Sequence, residues 1–413
     1  MTQSPQSIET AFVDECPRLR ELAAGGFPPA TEVLTATGPV AVSALTTDHR
    51  VYALDPTTGL AKLQSVRAVE RVSHSGDLVA LETRRCDLRV HPDHRVICRT
   101  VGQDDLDVRS AHQLAEYEHY KFANAWRTLP GDPLETVDIT DYLDDFEACA
   151  ATDVHGHTIR SELPDGCEPV RRNSHVGYYF DAETFKTYQD AIEAIATEVT
   201  IHAGPNHHRR PYRFDGDDFI EFLGWFVTEG STTWSTSSDT VQVNIAQEDD
   251  THRAAIQSLF ERMGIDGHVD DRSVSVASKV LGRLFESLCG AGSHDKHLPE
   301  FVWHLETDQQ RLLVETLLAG DADDMDTFYT ASDRLAAQLC RLHAEIGRKP
   351  KYTLKDGIWQ VCGRTVNDGF QHSRNVRCVA SPGKLYRLTI AEYPSVLAGR
   401  NGVFQWIGTS NVV

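Results

Sequence analysis

The chain has 413 residues, with 40% hydrophobic and 24% charged side chains, which is ordinary for a folded protein of two or three domains. No run of about 18 apolar residues is present, and the first residues lack the apolar centre of a signal peptide, so we expect a cytoplasmic protein without membrane spans. The formal net charge of −21 is the opposite of the basic surface that most nucleic-acid-binding proteins carry. The cysteines form no C-x-x-C pair, so we expect free, mostly buried thiols and neither a disulfide framework nor a zinc ribbon.

The first half of the chain predicts a helix, a β region and then a mixed segment. Residues 5–24 have helical spacing, and Gly25 and Gly26 mark a boundary after them. Alternating apolar residues predict short strands at 31–35, 50–54, 78–83 and 94–98. From about 110 to 210 the chain is rich in Asp, His and aromatic residues, and the pattern there predicts some helix, for instance at 188–197.

The second half predicts helices first and strands afterwards. Residues 217–350 have an α/β pattern with two helix–strand–helix units. Later strands are predicted at 351–354, 358–361, 384–390 and 403–407. Strand-rich sequence therefore flanks an α/β segment on both sides, which predicts one β domain divided in sequence by an inserted domain.

Two of the predicted helices end in an acidic residue. The segment FLGWFVTE ends at Glu229, and the segment LVETLLAGD ends at Asp321. Small residues precede the two acids at matching distances, at Gly224, Thr228, Thr316 and Gly320. Two such helices can pack side by side and bring both carboxylates together, as Mg²⁺-dependent phosphodiester hydrolysis requires. The alternative is a pair of ordinary amphipathic helices that end in solvent-exposed acids.

The strong negative charge has two interpretations. Either the partner is not nucleic acid, or the acidic surface is an adaptation to high salt. Lysine is rare, arginine carries most of the positive charge, and Asp and Glu occur in every segment, which is typical of haloarchaeal proteins and favours the second interpretation. In concentrated salt, DNA binding gains less from counterion release and depends more on shape and direct contacts.

Residues 215–365 resemble the LAGLIDADG (dodecapeptide, DOD-type) homing endonucleases, and the expected endonuclease domain is 215–370. The two acid-ended segments are similar to the two motifs of that family, and DKHLP at 295–299 resembles the segment before the second motif. Ala322 departs from the pattern, since a glycine usually follows the second acid. The resemblance implies an αββαββα-type domain of two repeats. It also implies a site-specific endonuclease, monomeric with internal pseudo-twofold symmetry, that binds a long asymmetric target in double-stranded DNA.

The same resemblance implies roles for individual residues. Glu229 and Asp321 are the expected catalytic acids and the expected ligands of Mg²⁺. The family places a lysine near each active site, and Lys296 and Lys351 are the preferred candidates, although either can be an ordinary surface lysine. Residues expected to contact DNA are Gln242, Asn244, Arg272 and Lys349, and solvated strand faces are the alternative interpretation for them.

The flanking β segments resemble the Hint domain of inteins. The resemblance lies in residues 31–40, 48–55, 85–96 and 386–402. It implies an α+β chain in which one all-β Hint domain is split by the endonuclease. The expected ranges are an N-terminal extension at 1–25, Hint parts at 26–110 and 371–413, and a connector or DNA-recognition region at 111–214.

The residues of protein splicing are incomplete. The expected nucleophile position is Gly26, which has no side chain that can attack. Asn411 could cyclise, but Ser410 precedes it where a histidine is usual, and Val412 follows it. His94 and Asn411 are the candidate splicing relics. Without the nucleophile, an ordinary strand histidine is the favoured interpretation of His94.

The sequence therefore predicts a DNA endonuclease whose Hint domain no longer splices. One alternative is a degenerate DNA-binding relic without catalysis. Another is an intein that still splices or cleaves through Asn411. A zinc site at His91 and His94 is not favoured, because no second pair of ligands lies at a matching spacing.

Overall fold

The computed structural model describes residues 25–413, except for 154–158, 160, 174–175, 205–206, 238, 324, 366–367, 410 and 413, and only the backbone of 411–412. The predicted helix at 5–24 lies outside the described residues. The chain forms two compact units, one comprising the described residues up to Pro130 together with Asp326–Val413, and the other Gly131–Met325. The first unit is discontinuous in sequence. The domain ranges divided at 110, 214 and 370 remain predictions, since compact units are defined by contacts and not by function.

The first segment of the discontinuous unit consists of strands. They are β1 Glu32–Thr35, β2 Gly38–Ala41, β3 Arg50–Leu54, β4 Leu60–His74, β5 Asp77–Glu82, β6 Asp87–Val90, β7 Arg95–Thr100, β8 Asp107–Ser110, β9 His119–Phe122 and β10 Arg127–Thr128. The four strands predicted in this segment correspond to β1, β3, β5 and β7. The long strand β4 was not predicted, because its later half alternates between polar and half-buried residues and contains no apolar run.

The contiguous unit contains both sheets and helices. Its elements are β11 Thr136–Asp138, β12 Glu147–Ala151, β13 Arg171–Asn173, β14 Gly177–Asp181, α1 Ala182–Ile195, β15 Glu198–His202, β16 Arg213–Asp215, α2 Gly216–Glu229, β17 Gly230–Ser235, β18 Thr240–Ala246, α3 Asp250–Arg262, β19 His268–Val269, β20 Ser273–Ala277, α4 Lys279–Cys289 and α5 Thr307–Asp321. One sheet has the order β13-β14-β12-β15 and packs on α1, and a second has the order β17-β18-β20-β19. The region predicted as a mixed connector thus holds a regular antiparallel sheet.

The second segment of the discontinuous unit returns to strands. Its elements are β21 Phe328–Thr330, α6 Asp333–Glu345, β22 Lys349–Lys355, β23 Ile358–Arg364, β24 Gly369–Gln371, α7 His372–Asn375, β25 Val376–Ala380, β26 Gly383–Ile390, β27 Ser395–Arg400, β28 Val403–Gly408 and β29 Asn411–Val412. Strand β26 pairs with β4, β27 with β1, and β25 with β5. The main sheet therefore combines both segments in the order β21-β23-β22-β28-β27-β1-β3-β4-β26-β29.

A continuous hydrophobic core joins these two segments. Val33, Val51 and Val96 of the first segment cluster with Leu388 and Ile407 of the second. Every described cysteine is free, and all but Cys378 are buried, as expected. Among the described residues, no helix has the length and apolar character that crossing a membrane requires.

Two hairpins of the first unit have the turn chemistry that local sequence favours. Asp356 and Gly357 join β22 to β23 with φ of 53° and 81°, and Asn401 and Gly402 join β27 to β28 with φ of 52° and 70°. Left-handed conformations at both central residues are those of a type I′ turn, which Asn-Gly and Asp-Gly favour. A Cβ at Gly402 would lie 2.1 Å from the carbonyl oxygen of Tyr352, so this glycine also permits a close backbone approach.

We expect Gly402→Ala to lower the free energy of unfolding by about 1–3 kcal/mol, because the new Cβ collides with backbone and the residue is held at positive φ. Denaturant unfolding of the full chain measures this. The matched control is Gly383→Ala in the same unit, where a Cβ would meet no atom within 4 Å. Equal destabilisation by the two substitutions would contradict the close approach at Gly402.

Candidate active site at the ends of two packed helices

Helix α2 is well specified by its sequence. Asp215 caps its N-terminus by accepting hydrogen bonds from the backbone N–H groups of Asp217 and Asp218, at 3.0 and 3.3 Å. The two acids of the first turn also interact favourably with the helix dipole. Most of the following residues are buried, and the helix ends at Glu229, after which Gly230 is extended and β17 begins.

Helix α5 packs directly against α2 through reciprocal contacts of small residues. A Cβ at Gly224 would lie 2.7 Å from Cγ2 of Thr316, and a Cβ at Gly320 would lie 2.4 Å from Oγ1 of Thr228. Each contact joins two residues that precede the acid of their own helix by the same number of positions in the sequence. The two helices therefore run in the same direction. Their seam therefore brings Glu229 and Asp321 to the same end, as the spacing predicts.

The two threonines can lie in this seam because their hydroxyl groups are satisfied within their own helices. The Thr228 hydroxyl donates to the carbonyl oxygens of Gly224 and Trp225, at 3.2 and 3.0 Å, and that of Thr316 donates to the carbonyl of Leu312 at 3.0 Å. Such back-bonding leaves no unpaired hydroxyl at the close approach.

The two acids are half-buried, and this perturbs their protonation. Burial, together with the neighbouring Asp321 carboxylate, raises the pKa of Glu229 to about 7. Burial raises the pKa of Asp321 to about 6. Both shifts follow from removing negative charge from water, and in Glu229 also from placing it near a like charge. A site of this kind favours a bound cation.

The two carboxylates are suitable ligands for Mg²⁺ when a substrate phosphate and water supply the others. Mg²⁺ in proteins is usually held by one or two carboxylates, with water and substrate phosphate completing its shell. Glu229 and Asp321 supply two carboxylates, and no cluster of three or more His, Cys, Asp or Glu side chains suited to a metal occurs in the described part of the chain. The departure at Ala322 does not disturb the site, because this residue is extended, with φ of −115°, and needs no glycine.

Lys296 lies in the same unit, and its catalytic role stays a prediction. Its ammonium donates to the carbonyl oxygen of Phe226 at 2.7 Å and lies 3.6 Å from the centroid of the Phe226 ring. The side chain is buried, which lowers its pKa to about 8. A cation at a helix C-terminus is stabilising, so Lys296 positions the end of α2 from which Glu229 projects.

The other two predicted lysines belong to the first unit. Lys351 lies in β22 and is partly exposed, and its catalytic role stays a prediction. Lys349 is only 5% exposed, and its ammonium contacts Asn124 Oδ1 at 2.7 Å, Asp368 Oδ2 at 3.5 Å and Gln405. The charge of Lys349 is thus used inside the protein, and its predicted contact with DNA stays a prediction.

The predicted DNA-contacting residues of the contiguous unit lie on one sheet. Gln242 and Asn244 share a face of β18, and the antiparallel register places Thr233 and Ser231 of β17 beside them. Gln242 also donates to the Ser275 hydroxyl at 2.9 Å. This face carries hydroxyl and amide groups and no charge at these positions. The two β17 hydroxyls were missed from sequence, although the alternation through residues 230–246 indicates them.

Arg272 lies apart from these amides, at the turn between β19 and β20, where its side chain is exposed. The structure therefore leaves it accessible to a phosphate or a base. Its predicted contact with DNA stays a prediction.

In the first unit, His94 holds the backbone of the expected splicing position. Its Nδ1 accepts a hydrogen bond from the N–H of Gly26 at 3.1 Å. Complete burial lowers the pKa of His94 to about 3, so the ring is neutral and can accept. A Cβ at Gly25 would lie 2.3 Å from this nitrogen, so the peptide is held closely. His94 thus makes a specific, buried contact with the backbone at the expected splicing position, and its role as a splicing relic stays a prediction.

The end of the chain is held by the neighbouring residue of β7. Arg95 is buried, and its Nε donates to the carbonyl oxygen of Thr409 at 2.9 Å. Two residues further on, Asn411 begins β29, whose backbone pairs in parallel with Thr389 of β26. The role of Arg95 was not predicted, because its partner lies more than three hundred residues away.

Comparison with known proteins gives limited similarity. No family model matches the chain. The ATP-dependent Clp protease proteolytic subunit of Chlamydomonas moewusii is 21% identical over 329 residues, covering 76% of this chain and 27% of that protein. The chain therefore spans about a quarter of the length of this curated relative.

Several inteins are among the solved structures that are similar to the chain. A mutant of the Ssp DnaB mini-intein is 18% identical, with 27% of this chain and 67% of that chain covered and a TM-score of 0.21. The KlbA intein precursor of Methanococcus jannaschii is 11% identical, with 24% and 67% covered and a TM-score of 0.21. A splice-inactive AceL NrdHF class 3 split intein is 12% identical, with 61% and 98% covered and a TM-score of 0.20. Similarity at this level carries no argument about activity.

The raised pKa values make the folded state bind protons more tightly than the unfolded state between about pH 4 and pH 7. The contribution of these two acids to the free energy of unfolding therefore falls as pH rises through this range. We expect Glu229→Gln to be more stable than the parent protein above pH 7, with the difference shrinking towards pH 4. Denaturant unfolding at several pH values measures this, and Glu315→Gln, an exposed acid on α5, is the control. A constant difference across the pH range would contradict the raised pKa.

Proposed function

We propose that this protein is a site-specific double-strand DNA endonuclease of the LAGLIDADG type, carried within an intein-like Hint domain that no longer splices. The observation that carries the proposal is the seam between α2 and α5, which joins two half-buried carboxylates with raised pKa values at one end of a parallel helix pair. Perturbed acids brought together in this way are typical of catalytic centres. The sequence around both acids resembles the motifs of that family.

An internal repeat supports the same proposal. The order strand–helix–strand–strand occurs in β18–α3–β19–β20 and again in β21–α6–β22–β23. The strands also pair in the same order, β18-β20-β19 in one case and β21-β23-β22 in the other. Each set follows one of the acid-ended helices. Two equivalent halves are what a nuclease with pseudo-twofold symmetry requires.

In the proposed mechanism, Glu229 and Asp321 would hold Mg²⁺ together with the scissile phosphate. When bound, the metal would lower the pKa of a water molecule and neutralise charge on the phosphate. The two carboxylates would orient the metal, and each would serve one strand of the duplex. Lys296 contributes by fixing the carbonyl end of α2, so that the carboxylate of Glu229 keeps its position.

Two different surfaces suit contacts with DNA. The face of Gln242 and Asn244 offers neutral hydrogen-bonding groups that can read base edges in the major groove. In the other unit, Lys351 and Lys355 share a face of the β22–β23 hairpin with Arg364, which suits phosphate contacts. The chain has only nine lysines, so two of them on one face with Arg364 form an unusual concentration of positive charge for so acidic a protein.

The first test is cleavage of a duplex that spans the uninterrupted insertion site, in concentrated KCl with Mg²⁺. We expect the parent protein to cut both strands. Glu229→Gln or Asp321→Asn should lower the rate of double-strand cleavage at least about 100-fold, because each removes a metal ligand at one of two coupled centres. Gel analysis of linear and nicked products measures the effect.

The matched control is Glu315→Gln, which removes an exposed acid from the same helix as Asp321 and should cut at the parent rate. Chelation of Mg²⁺ should abolish cutting by the parent. Unchanged cleavage by either acid variant would overturn the assignment of the catalytic pair. Binding of the duplex by a parent protein that never cuts would instead favour the DNA-binding relic.

Residual peptide-bond chemistry in the Hint domain is a second candidate function, favoured by the hydrogen bond between Gly26 and His94. An intein could use such a contact to activate the peptide bond before residue 26, but no nucleophile is present there. Cleavage through Asn411 would need no such nucleophile. We place this candidate second because the acid pair is complete and the splicing residues are not.

A chain with foreign domains at both ends should remain intact, and Gly26→Cys should introduce thiol-sensitive cleavage before residue 26. The new Cβ would approach Leu385 Cβ at 3.1 Å, so the substitution needs only a small adjustment. Mass spectrometry of the products measures both results. His94→Ala in the Gly26→Cys background should suppress the cleavage. Release of the C-terminal domain from the parent, lost in Asn411→Ala, would show that cleavage through Asn411 persists.

A further inference from the structure

The first unit contains a cavity of about 250 Å³ between strands β1 and β2, helix α6 and the β22–β23 hairpin. Pockets for drug-sized ligands measure roughly 300–1,000 Å³, so this cavity suits a small chemical group. The polar and aromatic residues that line it are Glu32, Asp333, Tyr352 and Trp359. All of them belong to the first unit, and neither Glu229 nor Asp321 is part of the lining.

Both carboxylates of the cavity are oriented by aromatic side chains. The Tyr352 hydroxyl donates to Oε1 of Glu32, and the indole N–H of Trp359 donates to Oδ1 of Asp333 at 2.7 Å. Burial and the Glu32 carboxylate raise the pKa of Tyr352 well above its usual range, so the phenol keeps its proton and continues to donate. The second oxygen of Glu32, Oε2, is buried and accepts no hydrogen bond within the described chain.

The negative charge of the cavity is not balanced by any positively charged residue in its lining. No Lys or Arg is among the lining residues, while two acids are. A buried carboxylate oxygen without a partner costs free energy, which a bound cation would recover. The cavity therefore attracts positive charge.

The aromatic lining selects the kind of cation. The rings of Tyr352 and Trp359 pack edge to face, with centroids 5.5 Å apart. Aromatic rings attract organic cations such as ammonium and guanidinium groups, and guanidinium is the more weakly hydrated of the two, whereas small metal ions prefer a shell of oxygen ligands. The remaining lining, which includes Pro39 and Cys340, is mostly apolar and suits the carbon part of such a ligand.

The walls of the cavity are held together by close contacts. Gly38 has φ of +106°, and a Cβ there would lie 2.5 Å from Cβ of Ala337 on α6. Arg341 of the same helix donates to the carbonyl oxygen of Ala36 at 3.0 Å. A site with fixed walls loses little conformational freedom on binding.

We propose that this cavity binds a small organic cation, an alkylammonium or guanidinium group, between the carboxylates of Glu32 and Asp333. The group can belong to a free small molecule or to a lysine or arginine side chain of another protein. Both sources share the same chemistry, and the experiment separates them. The proposal does not depend on nuclease activity.

Isothermal titration calorimetry of the full chain tests the proposal at constant salt. The free probes are N-acetyl-arginine methylamide and tetramethylammonium, and the uncharged control is N-acetyl-citrulline methylamide, which has nearly the same shape as the arginine probe. We expect the cationic probes to bind and the citrulline probe to bind at least about tenfold more weakly. An arginine within a short glycine peptide is the second arm. Binding of that peptide identifies a protein side chain as a possible source, and binding of the free probes alone identifies a small molecule.

Variants locate the site. Glu32→Gln and Asp333→Asn should each weaken binding of the arginine probe at least about tenfold, and Trp359→Leu should weaken it also. Glu70→Gln, an exposed acid on β4 of the same unit, should leave binding unchanged. Circular dichroism of each variant confirms that it is folded. Equal binding of the citrulline probe, binding that survives both acid substitutions, or no binding of any cationic probe at millimolar concentration would overturn the proposal.

Discussion

The candidate site depends on the close approach of α2 and α5. A Cβ on either Gly224 or Gly320 would lie within 2.7 Å of a threonine side chain, so any larger residue at these positions must push the helices apart. The same closeness places two carboxylates together and raises the pKa of Glu229. At neutral pH the two carboxylates destabilise the protein that has no cation bound, and they are suited to binding one. Active sites commonly reduce the stability of the free protein in this way, because their residues are arranged for function.

What could be predicted from the sequence was mostly local. The turns at Asp356-Gly357 and Asn401-Gly402 follow from residues that tolerate positive φ, and both turns have the expected geometry. The spacing of Gly224 and Thr228 before Glu229 likewise needs no knowledge of distant residues, because a helix repeats its faces regularly. Strand-rich sequence at both ends of the chain was sufficient to predict one β domain that is interrupted in sequence.

What could not be predicted depends on partners far apart in the chain. Lys296 is a scarce cation near a motif, but its contact with the Phe226 carbonyl lies 70 residues away. The sequence indicates that Lys349 is an exposed member of a basic run. In the structure, its ammonium instead contacts the Asn124 amide and the buried Asp368 carboxylate. The sheet containing β12 and β15 was missed because its strands are short and are joined by long polar segments, so that only the pairing reveals it.

Because the first unit is formed by two separate segments of the chain, its paired strands are synthesised at different times on the ribosome. Strand β4 emerges early, whereas its partner β26 follows only after the whole contiguous unit has been synthesised. Pairing over such a separation is slow, and an unpaired strand is prone to associate with other chains. The charged side chains of Arg67, Glu70 and Arg71 remain exposed on β4. Charged side chains on an unpaired strand disfavour its association with other chains, so these residues are suited to keeping β4 soluble until β26 is synthesised.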